Sequence, residues 1–259
     1  MTNQHSRNTE ISSLLYRRRY LVPNLFTIGN IFCGFLAIIY SSQGRFEPAV
    51  IAIFIGLILD GLDGRVARKL QAESSFGVQI DSLSDLVTFG VAPAFMAYHW
   101  YFFQYADQFG VLICFIYVVC AAARLARFNV TKDTGHDFSG LPTPAAAALI
   151  VSTINLFPEI DLPEFSVSLA SVYVVTVSAL MVSNIVYFSG KNSGNKFKLK
   201  DPLKLTIACA IAIAFFWYTP RITVFCIAML YCASGPLMAF PATRNCLDRL
   251  FHKINLSGK

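Results

Sequence analysis

The sequence predicts an all-α, polytopic membrane bundle of about eight transmembrane helices, and three observations carry that prediction. Hydrophobic residues make up 55% of the 259 and charged residues only 14%, against about 25% charged in soluble domains. Mean hydropathy is +0.55. Apolar stretches near the roughly 20 residues a helix needs to cross the hydrocarbon core recur along the chain, leaving no length for a separate soluble domain. When these stretches are taken as alternating spans, the basic residues sort to one side.

Residues 1–20 are polar and then basic, ending in Arg17, Arg18 and Arg19. They read as a juxtamembrane segment whose Leu14, Leu15 and Tyr16 dip into the headgroup region. No small-residue cleavage site follows, so the next stretch is read as a retained span rather than a signal peptide. The spans are expected near 21–40, 46–64, 83–103, 109–127, 143–157, 167–188, 203–219 and 222–240, forming one transmembrane domain over 21–240. The fifth is the shortest. Between the sixth and seventh, SGKNSGNKFKLKD (189–201) is a basic, flexible connection, and 241–259 is a tail.

With eight spans, 19 of the 21 lysines and arginines fall on one side, leaving only Arg45 and Arg221 opposite, where Glu47, Asp107, Glu159, Asp161 and Glu164 gather. The positive-inside rule then puts both termini on the cytoplasmic side of the cell membrane. The net charge of +6 is thereby accounted for by topology and anionic headgroups, and nucleic-acid binding is excluded as its reason. Seven scattered cysteines without a CxxC pair indicate neither a disulfide framework nor a zinc site.

One stretch resists this apolar reading: DGLDGRVARKLQAESSFGVQIDSLSD, Asp60 to Asp85. An ionisable group in a span costs at least about 2.5–3.5 kcal/mol. Asp60 and Asp63 lie at i, i+3 near the end of the second span, and Asp81 and Asp85 at i, i+4 at the start of the third, so each pair shares a helix face. The antiparallel connection, expected to carry Gly64 and Gly77, brings the pairs together. Four carboxylates with no histidine or thiolate favour hard cations, Mg²⁺ or Mn²⁺ with Ca²⁺ as an alternative, and two such ions balance the charge. Paired ions of this kind clamp phosphoryl groups. Arg65, Arg68 and Lys69 supply cations for phosphate oxygens beside them.

The stretch fits D-x2-D-G-x2-A-R-x8-G-x3-D-x3-D without departure, at Asp60, Asp63, Gly64, Ala67, Arg68, Gly77, Asp81 and Asp85. In this it resembles the CDP-alcohol phosphatidyltransferase family. The resemblance implies a homodimeric membrane enzyme that joins an alcohol to the phosphatidyl group of a CDP-linked lipid and releases CMP. It implies that Asp60, Asp63, Asp81 and Asp85 hold two divalent ions, with Asp85 also the base. Asp63, Gly64, Ala67, Arg68 and Gly77 would frame the CDP moiety, joined by Asn24 and Thr27 from PNLFTIGN (23–30), which resembles the family's P-N-x-x-T. Asn30 stands where many glycerol-phosphate and inositol-phosphate transferases of the family have arginine, which weakens those acceptors. RLARFN and GLPTPAAA, within 121–148, resemble segments of the serine-using branch. Arg124, Arg127 and Asn129 are accordingly expected on the acceptor side, since a forked guanidinium suits the carboxylate of L-serine, with CDP-diacylglycerol as donor. A cation transporter would place its acidic groups near the bilayer midplane, whereas these sit at one edge.

Overall fold

The computed structural model describes residues 2–72, 74–105, 107–131, 140–157, 165–185, 187 and 220–239. Among the described residues there are helices and turns but no strand. Helix α1 (Thr2–Ser42) carries Pro23 internally, so the basic segment and the first span share one helix. A short turn at Gln43–Arg45, in which the Arg45 N–H donates to the Tyr40 carbonyl (2.9 Å), leads into α2 (Phe46–Leu70). Among the described residues, the α1/α2 hairpin is the most extensive packing.

Helix α2 runs past residue 64 to Leu70, and α3 (Ser75–Asp85) begins before residue 83. The expected connection is thereby corrected: Gly64 lies inside α2 and Gly77 in the first turn of α3. The reason is capping. Gln71 closes α2 in the left-handed conformation (φ 52°) with its N–H on the Ala67 and Arg68 carbonyls, and the Ser74 side chain accepts from the Gly77 N–H (2.9 Å) at the start of α3. These two caps need only a few residues between them.

The chain then winds more widely over Leu86–Val91, returns to α geometry in α4 (Ala92–Ala97), widens again over Tyr98–Phe102 and ends in the short α5 (Phe103–Tyr105). In both wide segments the N–H groups reach back five residues, Ala92 to Val87 and Phe103 to Tyr98, the signature of π-helix. Helices α6 (Asp107–Thr131), α7 (Thr143–Leu156), α8 (Phe165–Val182) and α9 (Pro220–Ala239) complete the described bundle. The sixth expected span, 167–188, is shorter as a helix because the chain after Val182 leaves it: the Gly140 N–H donates to the Ile185 carbonyl (2.8 Å) and the Leu141 N–H to the Leu180 carbonyl (2.9 Å).

Four described helical stretches are long and apolar enough to cross a membrane: Val22–Ser42, Ser75–Phe102, Gln108–Val130 and Pro220–Leu237. Thr143–Leu156 and Val167–Val182 are apolar but shorter. The span expected at 203–219, the connection 189–201 and the tail 241–259 lie outside the described residues. Large apolar side chains such as Phe32, Phe35, Ile51, Ile58, Phe115 and Leu230 face outward, while Thr27, Asn30, Asp63, Ser84 and Thr88 are buried. That inside-out distribution is what a lipid surround requires.

Cross-contacts fix which helix ends lie together. Arg221 pairs with Glu47, joining the starts of α9 and α2, and the Trp100 indole N–H donates to the Phe157 carbonyl (2.7 Å). At the other end Arg127 reaches the C-terminus of α8. The α2–α3 turn, the end of α6 and the start of α7 meet there around a cavity of about 590 Å³.

Candidate active site

Both caps lie beyond the aspartates, so Asp60, Asp63, Asp81 and Asp85 all sit on helix where they line the cavity. The cavity is lined by Thr27 of α1, by Asp60, Asp63, Gly64, Ala67 and Arg68 of α2, by Gly77, Asp81 and Asp85 of α3, and by Arg124 of α6. Carboxylate oxygens of Asp60, Asp63 and Asp81 lie within 4.8 Å of one another. Asp85 is in side-chain hydrogen-bonding contact with Asp60, and Asp63 with Asp81. Two carboxylates at that separation require a shared proton or a cation between them. The donor set is oxygen only, so the residues present fit hard divalent ions.

Asp63 and Asp85 are each held by a side chain of α1. Asp63 is buried and accepts from the Thr27 hydroxyl (3.0 Å) and from the Gly64 N–H. Asn30, fully buried, donates its amide to Asp85 Oδ1 (3.4 Å). The hydroxyls of Ser84 and Thr88 donate to the Thr27 and Asn30 carbonyls (3.1 and 2.8 Å), locking α1 against α3 and the wide turn that follows. That turn is held from the far side by the Tyr117 hydroxyl on the Phe89 carbonyl (3.0 Å). A Cβ on Gly34 would lie 2.6 Å from Thr88 Oγ1 and 2.8 Å from Thr88 Cα, so this approach requires glycine. Gly64 leaves space for the Arg68 side chain, whose Nη1 would lie 3.6 Å from a Cβ there.

Arg124 lines the cavity, donates to Thr143 Oγ1 (2.5 Å) and lies within electrostatic reach of Asp85 and of Tyr231 on α9. Arg65 and Lys69, expected beside Arg68 as cations for phosphate oxygens, do not line the cavity, and neither do Asn24, Arg127 and Asn129. Asn24 sits behind Gly77, its Oδ1 3.9 Å from where a Cβ would be. Arg127 donates to Asn184 Oδ1 (2.8 Å) and the Val182 carbonyl (3.5 Å) at the end of α8. Asn129 exchanges hydrogen bonds with Ser82 (2.9 and 3.3 Å), which itself lines the cavity.

Sequence reasoning did not select Ser74, Ser82 and Phe128, which line the cavity, or Tyr231. Nothing in spacing marks them, because they arrive from cap, turn and helix ends that only folding brings together. Pro142 and Pro144, on either side of Thr143 at the start of α7, both line the cavity.

Four carboxylates and two arginines converging on one cavity fit phosphoryl transfer assisted by divalent ions. The chain belongs to the CDP-alcohol phosphatidyltransferase family, whose model matches residues 20–186. It is 39% identical over 204 residues to the CDP-diacylglycerol–serine O-phosphatidyltransferase of Helicobacter pylori, covering 78% of this chain and 83% of that one. The Bacillus subtilis protein of the same name is 41% identical over 130 residues, 50% of this chain and 73% of its own. An archaetidylserine synthase of Methanothermobacter thermautotrophicus is 37% identical over 171 residues, covering 64% of this chain and 69% of that one.

Proposed function

We propose that this protein transfers the phosphatidyl group of CDP-diacylglycerol to the hydroxyl of L-serine, giving phosphatidylserine and CMP. The observation that carries the proposal is the convergence of Asp60, Asp63, Asp81 and Asp85 on one cavity with Arg124 beside Asp85. The similarity to serine phosphatidyltransferases supports the choice of acceptor. Among the described residues, the cations lining the cavity are Arg68 and Arg124, placed on different helices. One guanidinium on the acceptor side matches a single carboxylate better than the phosphate of glycerol 3-phosphate or inositol phosphate.

The four aspartates would hold two divalent cations, Mg²⁺ or Mn²⁺ with Ca²⁺ as an alternative, which when bound neutralise charge on the diphosphate. Arg68, folded over Gly64, faces diphosphate oxygens, and Ala67 and Gly77 leave room for the nucleotide, with Asn24 supporting Gly77 and Thr27 holding Asp63. Arg124 holds the serine carboxylate. Serine Oγ bonds to the lipid-linked phosphorus as its proton passes to Asp85, and the phosphorus–oxygen bond to CMP breaks. Asn30 keeps Asp85 aimed at that proton. Arg127 and Asn129 act from behind, on the α8 end and on Ser82. The site faces the cytoplasm, with both termini, as the distribution of basic residues supports. The domain spans 21–240 between a juxtamembrane segment and a tail, and works as a homodimer in the cell membrane.

Purified protein given CDP-diacylglycerol and Mg²⁺ or Mn²⁺ should release CMP when serine is added and not when glycerol 3-phosphate is. Chelation should stop release and added ion restore it. CMP release with glycerol 3-phosphate and none with serine overturns the assignment.

A further inference from the structure

We propose that Thr143 is a positioning residue for acceptor recognition: its hydroxyl is the fixed post that sets where the Arg124 guanidinium stands in the cavity. The inference rests on the acceptor reading above and extends it to a residue that touches no substrate. Thr143 is fully buried. Its flanking prolines line the cavity and it does not. Its Oγ1 accepts from Arg124 Nη1 at 2.5 Å.

The post is rigid for reasons of backbone rather than side chain. Gly140 (φ +92°) has its N–H on the Ile185 carbonyl, and a Cβ there would lie 2.3 Å from the Met181 carbonyl oxygen. Only glycine fits. Leu141, fully buried, is tied to the Leu180 carbonyl (2.9 Å), so the strand of chain before Thr143 is pinned to the end of α8 at two consecutive residues. Pro142 (φ −56°) and Pro144 then restrict the backbone on either side. Arg124 meets this post from α6, with Asp85 as its electrostatic partner from α3. An arginine has a long stem with many rotamers. Anchoring one of its nitrogens leaves the rest of the planar fork with a defined direction toward the cavity and toward the acceptor's carboxylate.

The acceptor-side Km and the donor-side Km separate this role from a merely structural one. Thr143→Val keeps the shape and removes the acceptor oxygen. It should raise the Km for serine about ten-fold, which corresponds to about 1.4 kcal/mol, leaving the Km for CDP-diacylglycerol within about two-fold; Thr143→Ser, which keeps the hydroxyl, should restore the serine Km. Because Km does not depend on the fraction of protein that folds, reduced yield of Thr143→Val does not obscure the result. An unchanged serine Km in Thr143→Val, an equal rise for both substrates, or failure of Thr143→Ser to restore would each overturn the proposal. Absence of serine-dependent CMP release in the unsubstituted protein would instead refute the acceptor assignment itself.

Discussion

The approach of α1 to the wide turn after Asp85 sets how Thr27 and Asn30 meet the aspartates, and Gly34→Ala tests this directly. A Cβ at position 34 would lie 2.8 Å from Thr88 Cα, whereas ordinary contact begins at 3.4 Å, so the two backbones must part by about 0.6 Å. Thr88 cannot swing aside, because the clash is with its backbone and because its hydroxyl is bonded to the Asn30 carbonyl (2.8 Å). Misplacement of catalytic groups on the 1 Å scale costs up to about 100-fold in rate, and overpacking costs about 1–3 kcal/mol in stability. Turnover should therefore fall about 10- to 100-fold per folded molecule. Gly29→Ala is the matched control, since its Cβ would meet only Leu59 Cδ1 (3.1 Å), the movable end of a side chain; it should keep turnover within about two-fold. Serine-dependent CMP release, normalised to folded protein in detergent, gives the comparison. If Gly34→Ala turns over like Gly29→Ala, the α1 contact does not set the geometry of the site.

Asp63→Asn should abolish CMP release while the protein still inserts and stays helical by circular dichroism, because the amide loses charge needed by a cation but still accepts from Thr27. Substantial turnover in that variant would remove Asp63 from the metal ligands. Arg127→Ala should leave the serine Km within about two-fold and lower thermal stability by about 1–2 kcal/mol, since Arg127 bonds the end of α8 rather than lining the cavity. A selective rise in serine Km for this variant would return Arg127 to the acceptor site.

The expected helices were mostly legible, because an apolar stretch near membrane length has few alternatives to a helix. Their ends were not. Residue 64 was expected to end the second span and residue 83 to begin the third, yet Gln71 and Ser74 carry the caps, and cap chemistry has no strong signature when the left-handed residue is glutamine rather than glycine. The sixth span was expected to run to 188 because the sequence turns apolar again after Asn184, but the Ile185 carbonyl is taken by the Gly140 N–H and the Asn184 side chain by Arg127.

By itself the sequence determined which groups the site brings: i, i+3 and i, i+4 spacing put each pair of aspartates on one helix face before any packing is known, and an oxygen-only donor set suits hard divalent ions. Only the tertiary structure decided which arginine faces the cavity. Arg124 and Arg127 are one turn apart and equivalent in pattern, but Arg124 is bonded to Thr143 whereas Arg127 is bonded to Asn184 and the Val182 carbonyl at the end of α8. Which neighbour stands beside a helix face is set by the packing of distant segments, and local spacing carries no record of it.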